Sequence, residues 1–164
     1  MINFDWTSFT RRIAVKATMP QIYDAWTTAI EIEKWFLSSA IFFDEQEFIV
    51  DRVKNINKGQ QYKWSWYNYE QAETGNIVEA NGKDLLKFSF AANCLVTVKL
   101  TEQDDHVMVD LTQSNIPVDE NSKQIIRLGC DAGWCFYLIN LKSVYEGGLD
   151  LRNKNKAFKW VVNS

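Results

Sequence analysis

Proline is nearly missing from this chain: of 164 residues only two, Pro20 and Pro117, are prolines, so long unbroken helices and strands are permitted. Histidine is rarer still. His106 stands alone, and with no second ligand at useful spacing a transition-metal site is not expected. The three cysteines, Cys94, Cys130 and Cys135, are odd in number and form no CxxC pair. That pattern argues against a disulfide framework and reads as buried thiols in a reducing compartment. A basic excess is absent too, since the net charge is −3, which argues against nucleic acid as a partner. No apolar run approaches the length of a membrane span. The start, from Met1 to Asp5, has neither the basic region nor the apolar core of an export signal. The expected location is the cytoplasm.

What is abundant is aromatic. Phe, Trp and Tyr make up 14% of the chain, with seven Trp, enough for either a thick core or the wall of a cavity. The longest organised stretch is Ser122 to Glu146, which reads as one helix. Ile125, Leu128, Ala132, Cys135, Phe136 and Ile139 fall on one face, and Ile126, Cys130, Trp134, Tyr137, Leu141 and Val144 on the opposite one. Arg127, Asp131 and Lys142 read as a thin wet stripe. Gly129 and Gly133 lie four apart on neighbouring parts of one surface. A helix apolar on two sides is expected to be covered on both.

The remainder should supply that cover. Phe9 to Ala17 alternates as a half-buried strand. Thr18 with Gln21 forms a capping-box pattern, Pro20 suits a first helical turn, and a second short helix spans Ile30 to Trp35. From Ile41 to Ser114 the chain reads as short strands: Ile41 to Phe43, Phe48 to Val50, Tyr62 to Tyr69, then three more with inward sets Leu86/Phe88/Phe90, Cys94/Val96/Val98/Leu100 and Val107/Val109/Leu111/Gln113. Gly75 reads as punctuation, and Asn81-Gly82 is the strongest hairpin signal. Gly147-Gly148 should end the long helix. The fold class predicted is α+β: a curved antiparallel β-sheet wrapped around a long C-terminal helix, with two short helices between the first and second strands. One domain is expected over residues 1–164, with its core at about 9–148 and a tail at 149–164.

Candidate functional residues are the inward rings and their neighbours. Trp35, Tyr62, Trp64, Trp66, Phe88, Phe90, Val98, Val109 and Phe136 are candidates to line a ligand cavity, with Gln113 and Asn140 as polar contacts that would orient a ligand. The competing reading is that these rings fill a close-packed core and that the two amides bond to backbone. The carboxylates Asp44, Glu45, Glu47 and Asp51 read as a solvated cluster. The tail, with Arg152, Lys154, Lys156 and Lys159 beside Phe158 and Trp160, is basic and aromatic; its lysines should stay wet while the rings pack back on the sheet. No catalytic triad, nucleophile elbow or phosphate-cradling loop appears, so no catalytic residue is assigned.

Several segments together carry a resemblance: Pro20 to Trp26 with Glu33-Lys34-Trp35-Phe36, Tyr62 to Trp66, Gly129-Cys130-Asp131-Ala132-Gly133-Trp134, Asn140-Leu141-Lys142, and Glu146 to Arg152. From about Arg12 to Asn155 the chain resembles the activator of Hsp90 ATPase-like family, within the START-like, Bet v 1-like (SRPBCC) superfamily of helix-grip domains. The resemblance implies a sheet gripping the last helix, with a cavity that in many relatives takes an apolar small molecule. It implies no cofactor. The leading expectation is thus a non-enzymatic domain holding a hydrophobic or amphipathic molecule, a lipid among them. The alternative is a protein-interaction module, chaperone-associated or homodimeric, and a weaker one is a cyclase- or hydrolase-like enzyme. The eukaryotic co-chaperones of the family carry a separate chaperone-engaging domain with no counterpart here, so stimulation of a chaperone ATPase is not expected.

Overall fold

Alternation along the sequence becomes an antiparallel sheet in the computed structural model, which describes residues 4–164. Met1 to Asn3, part of the start on which the export expectation rests, lie outside the described residues. The strands are β1 (Phe9–Val15), β2 (Ser39–Phe43), β3 (Gln61–Ser65), β4 (Glu73–Ala80), β5 (Leu85–Phe90), β6 (Cys94–Gln103) and β7 (His106–Ser114). They form one curved seven-stranded sheet in the order β1-β7-β6-β5-β4-β3-β2. The first two strands are thus its opposite edges. Helices α1 (Met19–Thr27) and α2 (Ala29–Ile32) carry the chain from one edge to the other. Inward sets fall as the pleat requires: Val96, Val98, Val109, Leu111 and Gln113 are all buried. Phe48 to Val50 is no strand; Ile49 makes one isolated bridge to Phe43, and Phe48 and Ile49 are exposed.

Strand β4 departs from the sequence reading, which had taken Gly75 as punctuation. Gly75 sits inside the strand, opposite Tyr62, because a side chain there would collide with the Tyr62 ring: an added Cβ would lie 2.5 Å from Oη. The Tyr62 hydroxyl crosses that gap to donate to the Ser89 carbonyl at 2.6 Å. The Asn81-Gly82 turn joins β4 to β5, with Gly82 at φ +76 and the Asn81 Oδ1 accepting from the amides of Lys83, Asp84 and Leu85.

The capping box at α1 is complete, with the Thr18 side chain and the Gln21 side chain each bonded to the other's backbone. Trp26 and Trp35 meet edge to face at 4.6 Å, and the Trp35 indole donates to the Ala25 carbonyl at 2.8 Å. These helices therefore act as a lid on one end of the sheet.

The long helical run is α3 (Glu120–Ser122), a π-helical segment (Lys123–Leu128) and α4 (Gly129–Tyr145). It ends as expected, with Gly147 in the left-handed region at φ +78. The double cover expected for it is not there. Trp134, Leu138 and Leu141 are buried, whereas Ile125 is 64% and Ile139 54% exposed. One sheet lies against one side of a rod, and no described element lies over the Ile125–Leu128–Ile139 stripe. Arg127 also departs from expectation, being only 5% exposed. Its guanidinium stacks over Phe4 and Phe9 at 4.7 and 4.8 Å and donates to Asp131 and the Asp5 carbonyl. Charge was read as wet, but a paired guanidinium on apolar rings is stably buried.

Beyond α4 the chain returns to the lid. Arg152 donates to the carbonyls of Leu37, Glu33 and Lys34 and pairs with Asp150 at 2.8 Å. It is buried. Lys154, Lys156 and Lys159 are exposed, but so is the Trp160 ring, at 100%, and Phe158 lies open beside it. The tail folds back through polar contacts, such as Asn153 N–H to the Asn163 carbonyl at 2.7 Å, and leaves its rings outside.

Two outcomes follow. Gly75→Ala should lower stability by about 1–3 kcal/mol, the range for overpacking a filled site, read from a denaturant midpoint. Burial would raise the Asp150 carboxyl, but hydrogen bonds from Arg152, Lys154 and Asn140 outweigh it and hold the group well below the usual value of 3.8. A depressed folded pKa contributes stability above the unfolded value and loses it as pH falls toward the folded one. Stability should therefore decline below about pH 4, and Asp150→Asn should flatten that decline in acid titrations of the melting temperature.

Candidate functional site

Trp134 divides the space between α4 and the sheet. Its indole N–H donates to the Gln113 Oε1 at 2.9 Å, and its ring lies 5.1 Å from Phe36, 5.4 Å from Phe90 and 6.5 Å from Phe88. On the side toward the end of α4, Leu138, Asn140 and Leu141 are fully packed. On the other side the packing stops, and a cleft of about 390 Å³ opens.

Phe36, Trp66, Phe90 and Trp134 form its aromatic floor, with Trp66 set edge-on to Phe36 at 5.4 Å. Ile125, Gly129, Cys130, Gly133 and Tyr137 form the helical wall. Tyr69, Gln71, Ala72 and Glu73 form the facing wall, and Ser164 closes one corner. The glycines explain the space. A Cβ at Gly133 would meet nothing within 4 Å, and one at Gly129 would meet only the Gln124 carbonyl at 3.8 Å. Larger residues at either position would occupy the cleft. The π-helical segment runs directly into this wall, a placement such segments often have at functional sites.

Of the sequence candidates, Trp66 and Phe90 border the cleft. Trp35, Tyr62, Trp64, Phe88, Val98 and Val109 are buried in the core instead. The reason is density: Tyr62 stacks on Trp64 at 3.9 Å and Trp64 meets Phe88 at 5.1 Å, leaving no space between the rings. Phe136 lies off the cleft, on the less covered side of α4 against Tyr137; Tyr137 is the ring that lines it. Asn140 is fully committed, donating to the Trp35 carbonyl and Asp150 and accepting from the Leu151 amide. It ties α4 to the lid, both amide protons are used, and it is fully buried away from the cleft. Gln113 is buried behind Trp134. Its Nε2 has no hydrogen-bond partner among the described residues. The sequence reading missed Phe36, Tyr69, Glu73 and Gly133 as wall residues, though the Gly129–Gly133 spacing was a usable signal.

Chemically the cleft is quiet. Burial pushes the Cys130 thiol up to about 11, so it is protonated near neutrality, and burial likewise raises the Tyr137 hydroxyl. The carboxylate of Glu73 accepts from the Ala91 amide at 2.9 Å. His106 is elsewhere, in the β6–β7 turn, where its Nδ1–H donates to the Asp104 carbonyl at 2.7 Å. Among the described residues no group of three or more His, Cys, Asp or Glu is placed to hold a metal, and no helix is long and apolar enough to cross a membrane.

A sequence profile described as Activator of Hsp90 ATPase homolog 1-like protein matches residues 16–146. The chain belongs to this family. No protein with a curated description matches it in sequence. Solved structures share the helix-grip fold at low identity. Protein SSP2350 of Staphylococcus saprophyticus is 19% identical with a TM-score of 0.70, over 88% of this chain and 96% of that one. The Aha1 dimer of Colwellia psychrerythraea is 17% identical with a TM-score of 0.66, over 86% and 97%. DynU16, from the dynemicin biosynthetic locus, is 15% identical with a TM-score of 0.69, over 90% of this chain and 50% of its own. The cleft wall at Gly129 to Tyr137 lies inside the span that the family profile matches.

The wall itself gives a stability test. Gly133→Ala should raise the melting temperature, by about 0.5–1 kcal/mol of stability, because alanine is the better helix former and its methyl meets open space. A loss of stability would show the cleft to be closed at that point.

Proposed function

We propose that this protein is a non-enzymatic binding domain that holds an apolar or amphipathic small molecule in the cleft between the sheet and α4. The observation that carries this reading is the glycine-opened wall facing an aromatic floor. Its volume of about 390 Å³ falls in the range of roughly 300–1,000 Å³ found for small-molecule sites. Trp66, Phe90, Trp134 and Tyr137 supply the contact area, and the protonated Cys130 adds a soft apolar surface. Nothing lining the cleft pairs a nucleophile with a base, so the reading is binding without chemistry. It takes residues 1–164 as one such domain, working in the cytoplasm.

A second reading, association with a protein partner or a second copy, rests on the exposed stripe of Ile125, Leu128 and Ile139. The Colwellia relative is described as a dimer. A monomeric mass across the accessible concentration range would remove the self-association half of it.

The neutral fluorophore N-phenyl-1-naphthylamine tests the first reading. It should bind saturably to the wild type, and at least about tenfold more weakly to Gly133→Trp, whose side chain fills the cleft. Equal binding by the two proteins at matched melting temperature, or no binding up to the probe's solubility limit, would contradict it.

A further inference from the structure

The charge lining the cleft is of one sign. Among the described residues, Glu73 is the one Asp, Glu, Lys or Arg that lines it. The carboxylates that brace the fold around the helix and the lid are paired: Asp131 with Arg11 and Arg127, Asp150 with Arg152 and Lys154, and Glu33 with Arg52. Glu73 has no such partner among the described residues. Its Oε1 accepts from the Ala91 amide, and no other hydrogen bond reaches the carboxylate among those residues.

This carboxylate is also held in place. The turn it grips, Ala91-Ala92-Asn93, has φ of 46, 58 and 64. Three consecutive left-handed residues without a glycine form a costly conformation that persists only where its surroundings fix it. Glu73 is one of those fixtures, so it is presented to the cleft from backbone rather than from a mobile loop tip. Around it stand Trp66, Phe90 and Trp134, whose ring faces attract positive charge.

On these grounds, and resting on the cleft being the ligand site, we propose that the ligand is an aromatic or apolar molecule bearing a positive charge, such as an amine or a quaternary ammonium. A fatty acid or other carboxylate would bring a second negative charge beside Glu73 with no cation to offset it. A wholly apolar ligand would cover the carboxylate without satisfying it. A cation fits both the carboxylate and the rings.

Three probes of one shape separate these cases: (2-naphthylmethyl)trimethylammonium, its neutral isostere 2-neopentylnaphthalene, and the anion 2-naphthylacetate. Each is titrated by displacement of N-phenyl-1-naphthylamine from wild type and from Glu73→Gln. The glutamine keeps an acceptor for the Ala91 amide. The cation should bind the wild type roughly tenfold or more tightly than the neutral isostere, with the anion weakest. Glu73→Gln should remove most of the cation's advantage, leaving only the part that the rings supply, and leave the neutral probe unchanged. If cation and isostere bind the wild type alike, or the cation's advantage is undiminished in Glu73→Gln, the proposal is overturned while the cleft stands as a ligand site. If none of the three displaces the fluorophore, the cleft reading fails and this proposal with it. The wild-type ranking decides the matter even should Glu73→Gln fold poorly.

Discussion

The indole of Trp134 is the strut between helix and sheet. A rod laid on a curved sheet tends to collapse until every side chain is in contact, because each uncovered apolar area and each void costs stability. Trp134 stops that collapse at one height. Its ring is wedged among Phe36, Phe88 and Phe90, and its N–H is fixed on Gln113, itself fully buried on β7. A large ring with a satisfied polar handle resists both deeper insertion and rotation. The height of α4 above the sheet is therefore set at its middle.

From that fixed point the two halves of the helix behave differently. Toward its end, Leu138 and Leu141 fill the gap, while Asn140 and the Asp150–Arg152 pair lash the following segment to the carbonyls around the lid. Toward its start, two glycines replace the side chains that would fill the same gap, and the helical ladder loosens into a π segment. Structure is concentrated at one end and space at the other. The ion pairs of Asp131 with Arg11 and Arg127 then anchor the open end without entering the cleft. A cleft built this way is preformed, so a molecule entering it would require little ordering of the protein.

Most of the scaffold was legible in the chain because it is written as periodicity. Val96, Val98 and Leu100 alternate cleanly and pair with the equally regular β7. The capping box and the Asn81-Gly82 turn are local chemistry that needs no tertiary knowledge. Strand β4 was not legible, since of Glu73 to Ala80 only Ile77 is buried, and its glycine answers to a tyrosine on a neighbouring strand rather than to a turn. The cleft was harder for a related reason. Periodicity tells which rings point inward, not which of them interdigitate, so Tyr62, Trp64 and Phe88 looked like a wall and are core. The actual space is marked by missing side chains at Gly129 and Gly133. Arg127 and Trp160 show the other weakness of sequence reading: the charge goes inside because Phe4, Phe9 and Asp5 reach it from far along the chain, and the ring stays outside, fully exposed on the tail.

The central claim is that the half of the interface beyond Trp134 is open apolar space that a small molecule can enter. Intermolecular nuclear Overhauser effects from a bound naphthalene, with the tryptophan and phenylalanine ring protons assigned, measure this directly. The account predicts contacts to Trp66, Phe90 and Trp134 and to the Hα protons of Gly133. Contacts confined to Leu128 and Ile139 on the outer stripe, with none to Trp134, would contradict it.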